Sequence, residues 1–184
     1  HPHVITMGRN GRTDNLLASP EVLQAAGIEF HHSNRGGDVT YHGPGQIVGY
    51  PIFDLREWKR DVVAYVRALE GAIIDALSEF GLKGERLPGA TGVWVGEAKI
   101  AAIGVHISRW ITYHGFALNA TTDLKYFGYI IPCGLTKPVT SMQALGIHVP
   151  HSEVKAALVR GFQRQFATEA SFAGTNESQL QPAV

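Results

Sequence analysis

The middle third of the chain constrains its fold more than any other part. "TGVWVGE", "KIAAIGVHISRW" and "YHGFALNAT" are rich in β-branched and aromatic residues and broken by glycines. That composition predicts successive strands. "GIEFHHSN" and "QIVGYPIF" read as two more, one on each side of a glycine-rich stretch, "RGGDVTYHGPGQ". Helical spacing appears before and after the strand run. From Trp58 to Phe80, apolar Val62, Val66, Leu69, Ile73, Leu77 and Phe80 recur every three or four residues, with Gly81 as the C-terminal cap. A second helix is predicted from Glu153 to Phe166, with Val154, Leu158, Phe162 and Phe166 on one face and Ser152 as N-cap. Strands in a row with helices early and late predict an α+β (mixed α/β) fold, a sheet covered by helices.

The 184 residues read as one domain, assigned to residues 1–170, with 171–184 a polar tail. Sixteen basic residues balance sixteen acidic ones. A neutral total argues against a nucleic-acid or membrane-surface partner, which needs a basic face. No apolar run approaches the roughly 20 residues of a membrane span, and no signal peptide is legible. The single cysteine, Cys133, excludes an internal disulfide framework and fits a reducing cytoplasm. The chain opens His1-Pro2-His3 without an initiator Met, and its true beginning is expected to be missing.

The glycine-rich stretch fits neither G-x-G-x-x-G nor G-x-x-x-x-G-K-[ST], and no helical pattern follows it to hold a phosphate. Two readings remain. One is a hairpin turning on Gly43-Pro44-Gly45. The other is a ligand groove, because Arg35, Asp38, Tyr41 and His42 stand among residues with little side chain, where a ligand can lie against backbone. Such a groove suits a flexible apolar chain with a polar end.

Cys133 sits in "IIPCGLTKP", where Pro132 and Gly134 predict a sharp bend. A lone intracellular cysteine is commonly a small buried hydrophobe. As a nucleophile it needs a nearby cation or base, since a free thiol near pKa 8.5 is only slightly ionised at neutral pH. His106, His114 and Lys99 are candidates by residue type, and spacing does not choose among them. Of the nine histidines, His31 and His32 adjoin, His1 and His3 lie at the terminus and the remainder are scattered, without H-E-x-x-H or C-x-x-C, so no metal site and no cofactor are expected.

Four segments taken together, "HPHVITMGR", "RGGDVTYHGPGQIVGYPIFDL", "KIAAIGVHISRWITYHGFALN" and "TDLKYFGYIIPCGL", resemble the lipoyl(octanoyl) transferase family in the right order. The resemblance runs from His1 to Val149. It implies a fold related to biotin and lipoate protein ligases, with a mixed sheet and flanking helices. It implies transfer of an octanoyl group from octanoyl-acyl carrier protein to a lysine of lipoyl domains, in 2-oxoacid dehydrogenase E2 subunits and the glycine cleavage H protein.

It also implies residue roles. Cys133 would carry the acyl group as a thioester, and Lys99 would lower the thiol's pKa and help proton transfer. Arg35, Gly36, Gly37, Asp38, Val39, Thr40, Tyr41 and His42 would contact substrate, with Ala102, Ile103, Gly104, Gly115, Phe116 and Ala117. Family members usually carry a further helix and strand before the segment matching His1. Two other functions share parts of this pattern: an ATP-dependent lipoate or biotin ligase, which needs no nucleophilic cysteine, and a non-catalytic module that binds lipoyl domains.

Overall fold

The computed structural model describes residues 1–131 and 137–166. Its strands form two sheets. Strands β1 (Val4–Met7), β2 (Glu29–His32) and β3 (Val39–His42) stand in the order β2-β1-β3. β1 runs parallel to β2 and antiparallel to β3. Strands β4 (Gln46–Gly49), β5 (Glu85–Leu87), β6 (Ala90–Val95), β7 (Ala98–Ser108) and β8 (Ile111–Asn119) form an antiparallel sheet in the order β4-β8-β7-β6-β5. The predicted strand run is thus one continuous meander. Its long hairpin turns through Arg109 and Trp110, whose φ values of 49° and 69° give the turn a twist that matches the strands.

Helices α1 (Pro20–Ala25), α2 (Val62–Ser78) and α3 (His151–Phe166) cover the sheets. α2 starts later than its apolar spacing predicts, because Asp61 caps it, accepting the Ala64 N–H at 2.9 Å. Residues ahead of the cap are engaged elsewhere, with Phe53 bonded to Thr112 of β8. Gly81, at φ 74°, closes the other end with its N–H on the Ser78 carbonyl at 3.0 Å. α3 starts ahead of Ser152, which lies inside the first turn. The cap position falls to Pro150, whose carbonyl receives the Glu153 N–H at 3.0 Å.

Ile73 and Leu77 of α2, Val154 and Leu158 of α3, and Ile100 and Leu118 of the meander share one buried cluster. A second cluster lies under the smaller sheet, where Ile5, Met7, Val39 and Tyr41 meet Phe127 and Ile130.

Among the described residues, the backbone joins the sheets at two places beside the cleft between them. Gly43-Pro44-Gly45 is a tight turn, with the Gln46 N–H on the Gly43 carbonyl at 3.2 Å and Gly45 at φ 84°. β3 and β4 belong to different sheets, so this turn is a crossover and no hairpin forms. The second connection is the strap Arg35 to Asp38. Its carbonyls receive the N–H groups of Gly8, Arg9 and Asn10 beyond β1, while the Gly36 N–H reaches Val105 of β7 at 2.8 Å.

Candidate active site

Period-two alternation selects which strand residues face the space between the sheets. Across β1 and β3, Val4 pairs with His42 and Thr6 with Thr40. These four line a cleft of about 300 Å³. The alternate residues, Ile5 with Tyr41 and Met7 with Val39, face the second core cluster. Val39 and Tyr41 therefore lie in the core and not along the cleft. The opposite wall is the β7–β8 ladder, where Ala102 pairs with Ala117, Ile103 with Phe116 and Gly104 with Gly115.

The two glycines in that last pair are required by close approach of the chain. A Cβ on Gly104 would stand 2.9 Å from the Gly36 carbonyl oxygen, and one on Gly115 would stand 2.1 Å from that of Gly49. The strap thus crosses directly against the cleft wall.

Arg35 is almost fully buried, and its guanidinium donates to the Thr6 carbonyl (2.7 Å), the Thr6 hydroxyl (2.9 and 3.2 Å) and the Gly36 carbonyl (3.0 Å). Gly37 lines the same cleft; Gly36 and Asp38 face a second cleft on the far side of the strap. Asp38 organises the chain around it. Its carboxylate accepts the N–H groups of Arg12 (2.9 Å) and Val39 (2.7 Å) and a side-chain N–H of Asn15.

His42 is neutral at pH 7, because burial pushes its pKa down to about 4, with the nearby Arg35 charge adding to the effect. Its tautomer follows from Gln46. That amide donates to the Tyr41 carbonyl (3.1 Å) and the Asn119 side-chain oxygen (2.9 Å), so its own oxygen faces His42 Nδ1 at 3.1 Å. Nδ1 therefore carries the proton. His114 also lines the cleft, with φ at 59° and Nε2 2.5 Å from the Asn34 side-chain oxygen. Burial lowers its pKa too, with smaller contributions from Arg35 and His106. His106 lies off the cleft, its ring 5.9 Å from that of Tyr113.

Lys99 is 7% exposed, and its ammonium lies over the Trp94 ring, 4.8 Å from the centroid. Among the described residues no carboxylate pairs with it. It opens on a small pocket lined also by Thr40, Ala102 and Ala117, all three of which line the cleft between the sheets, and it lines the second cleft beyond the strap as well. Its backbone is tied downstream of the cysteine: its N–H donates to Pro138 and its carbonyl accepts from Thr140, both at 2.9 Å. Cys133 itself, with Pro132 and Gly134, lies outside the described residues. On the upstream side, the Ile131 N–H is held by the Asn15 carbonyl at 2.8 Å.

The sequence assigned no role to Val4, Thr6 or Val48, though all three line the cleft. For β1, the alternation of Val4 and Thr6 with Ile5 and Met7 was the available signal. Among the described residues no group of three or more His, Cys, Asp or Glu could hold a metal ion. Nor is any described helix long and apolar enough to cross a membrane.

The fold is shared with protein ligases. Lipoate-protein ligase A, solved with ATP bound, superposes with a TM-score of 0.76 at 19% identity, over 91% of this chain and 70% of that one. The biotin protein ligase of Aquifex aeolicus gives 0.54 at 15% identity, over 67% and 53%. The sequence itself matches the lipoyl protein ligase A/B catalytic domain over residues 1–163, and the chain belongs to that family.

Within the family the high identities are to transferases. The octanoyltransferase of Solibacter usitatus is 67% identical over 169 residues, 92% of this chain and 77% of that protein. That of Christiangramia forsetii is 51% identical over 94% and 77%. The chain is an acyltransferase that moves octanoyl groups in protein lipoylation.

Proposed function

We propose that Cys133 and Lys99 perform the transfer and that the cleft between the sheets holds the octanoyl tail. The observation that carries this reading is the Lys99 ammonium. It is buried, without a carboxylate partner among the described residues, beside the cleft, and its backbone is bonded to the segment just after Cys133. A cation so placed stabilises a thiolate.

The chemistry takes two steps. The Cys133 thiolate attacks the thioester carbonyl of octanoyl-acyl carrier protein; the carrier's sulfur leaves and takes a proton from Lys99. The acceptor lysine amine then attacks the enzyme thioester, an amide forms, and the amine's proton returns to Lys99 as the Cys133 thiolate departs. Thioester exchange is nearly isoenergetic and the amide is more stable, so ATP has no part. The cleft suits an apolar tail: Val4, Ala102, Phe116 and Ala117 line it, His42 is neutral, and the Arg35 donors are engaged by the protein. Each methylene buried there contributes about 0.8 kcal/mol.

We assign the reaction to a single domain over residues 1–170 in the cytoplasm, where a lone thiol stays reduced. The acceptors in this reading are lipoyl domains of 2-oxoacid dehydrogenase E2 subunits and the glycine cleavage H protein. The test is intact-protein mass spectrometry after mixing with octanoyl-acyl carrier protein, followed by peptide mapping. One octanoyl group is expected on the Cys133 peptide, and none in a folded Cys133→Ala variant. An adduct on another residue, or undiminished transfer by that variant, overturns the assignment.

A further inference from the structure

β6 is irregular along both edges. On one edge Glu85 pairs with Trp94 and Leu87 with Ala90, so the two strands advance unequally between these points. On the other edge Val93 pairs with Ala101 but Trp94 with Lys99, leaving Ile100 as an extra residue in β7. Bulges of this kind re-aim the side chains beside them. Here the side chain is Lys99.

Gly92 lies at the centre of the irregularity with φ at 129°. A Cβ there would stand 2.6 Å from the Ala101 carbonyl oxygen and 3.4 Å from Lys99 Cε. The backbone of Gly92 and the ring of Trp94 therefore form the surface on which the lysine chain lies.

The Gly92 N–H finds its acceptor on α2. Glu70, 1% exposed, takes it on Oε1 at 3.1 Å. The other oxygen of Glu70 is occupied by Arg67 at 2.8 Å and Arg86 at 3.1 Å. Both guanidiniums are nearly half exposed, so they neutralise the carboxylate while remaining partly hydrated. Burying a carboxylate is expensive, and a buried backbone N–H must be satisfied. Glu70 meets both demands within the irregular stretch of β6.

We propose that Glu70 is a positioning residue for Lys99: its bond to the Gly92 N–H fixes the bulge that sets the lysine's place. This rests on the reading of Lys99 as a catalytic residue. The test is a double-mutant cycle on single-turnover acyl loading from octanoyl-acyl carrier protein, with folding followed by circular dichroism. Glu70→Ala should slow loading about tenfold in the wild-type background and have no further effect in Lys99→Ala. Saturating donor should leave the defect in place, since kcat falls and KM does not rise. Glu70→Gln keeps an oxygen for the Gly92 N–H and should recover most of the rate; it also serves if Glu70→Ala does not fold.

Equal slowing by Glu70→Ala with and without Lys99 overturns the proposal, as does equal slowing by the Ala and Gln variants. Wild-type loading by Lys99→Ala would instead remove the catalytic reading itself, and with it any role for Glu70 through Lys99.

Discussion

The two sheets are built from the same kind of backbone and spend it differently. In the five-stranded sheet, β5 to β8 follow one another in sequence, and helices α2 and α3 join the central strands in one apolar cluster. The three-stranded sheet gathers four-residue strands from three separated places in the chain. One side of its β1–β3 pair packs on a core and the other forms a wall of the cleft. The larger sheet shares the extensive apolar cluster with α2 and α3, and the proposed substrate cleft lies in the seam between the two sheets.

The largest effect that sharpens this contrast is expected at Ile73, fully buried between α2 and the larger sheet. Ile73→Ala should lower unfolding free energy by about 2–5 kcal/mol, measured by urea titration, because it opens a cavity in a packed core. Octanoyl loading per folded molecule should stay near wild type. A selective loss of loading would break the division between the sheets.

The next effect belongs to the cleft wall. Protons bind the unfolded His42 ring from about pH 6.5 downward and the folded ring only near pH 4. The folded state therefore loses ground as pH falls through this window, and the loss levels off below it at about 3 kcal/mol. His42→Asn removes the titrating group, so its stability should fall less steeply between these limits. Parallel curves for the two proteins would show that the ring titrates alike in both states.

The smallest effect is at Tyr41, on the core-facing side of β3, whose hydroxyl meets His3 Nδ1 at 2.7 Å. Tyr41→Phe should cost about 1 kcal/mol, the net worth of one hydrogen bond, with cleft function retained. A large loss of transfer would mean that the two faces of β3 are not separate.

The same contrast explains what the sequence made legible. The meander and both long helices announce themselves through long periodic runs, and their errors are confined to ends, where Asp61 and Pro150 set the boundaries by local capping. The small sheet was harder. β2 shows in its aromatic run, but β1 is four residues long and β3 is embedded among glycines. α1 is only six residues long, entered through Ser19 and Pro20.

At the site, the β7–β8 residues Ala102 to Gly104 and Gly115 to Ala117 line the cleft with Arg35, Gly37, Thr40 and His42, whereas Gly36 and Asp38 face the far side of the strap. The stretch from Arg35 to His42 was read as one block. Alternation divides it, sending Val39 and Tyr41 inward. Glu70 carried no sequence signal, since a carboxylate on a helix reads as a solvated face until tertiary contacts bury it.

The Gly43-Pro44-Gly45 crossover means that the opposing walls of the cleft belong to separately hydrogen-bonded ladders. Side-chain bulk on one wall can drift over evolutionary time without disturbing the register of the other. With the cleft holding the acyl tail as proposed, preference for longer or shorter groups is then free to diverge among descendants while the architecture is inherited intact.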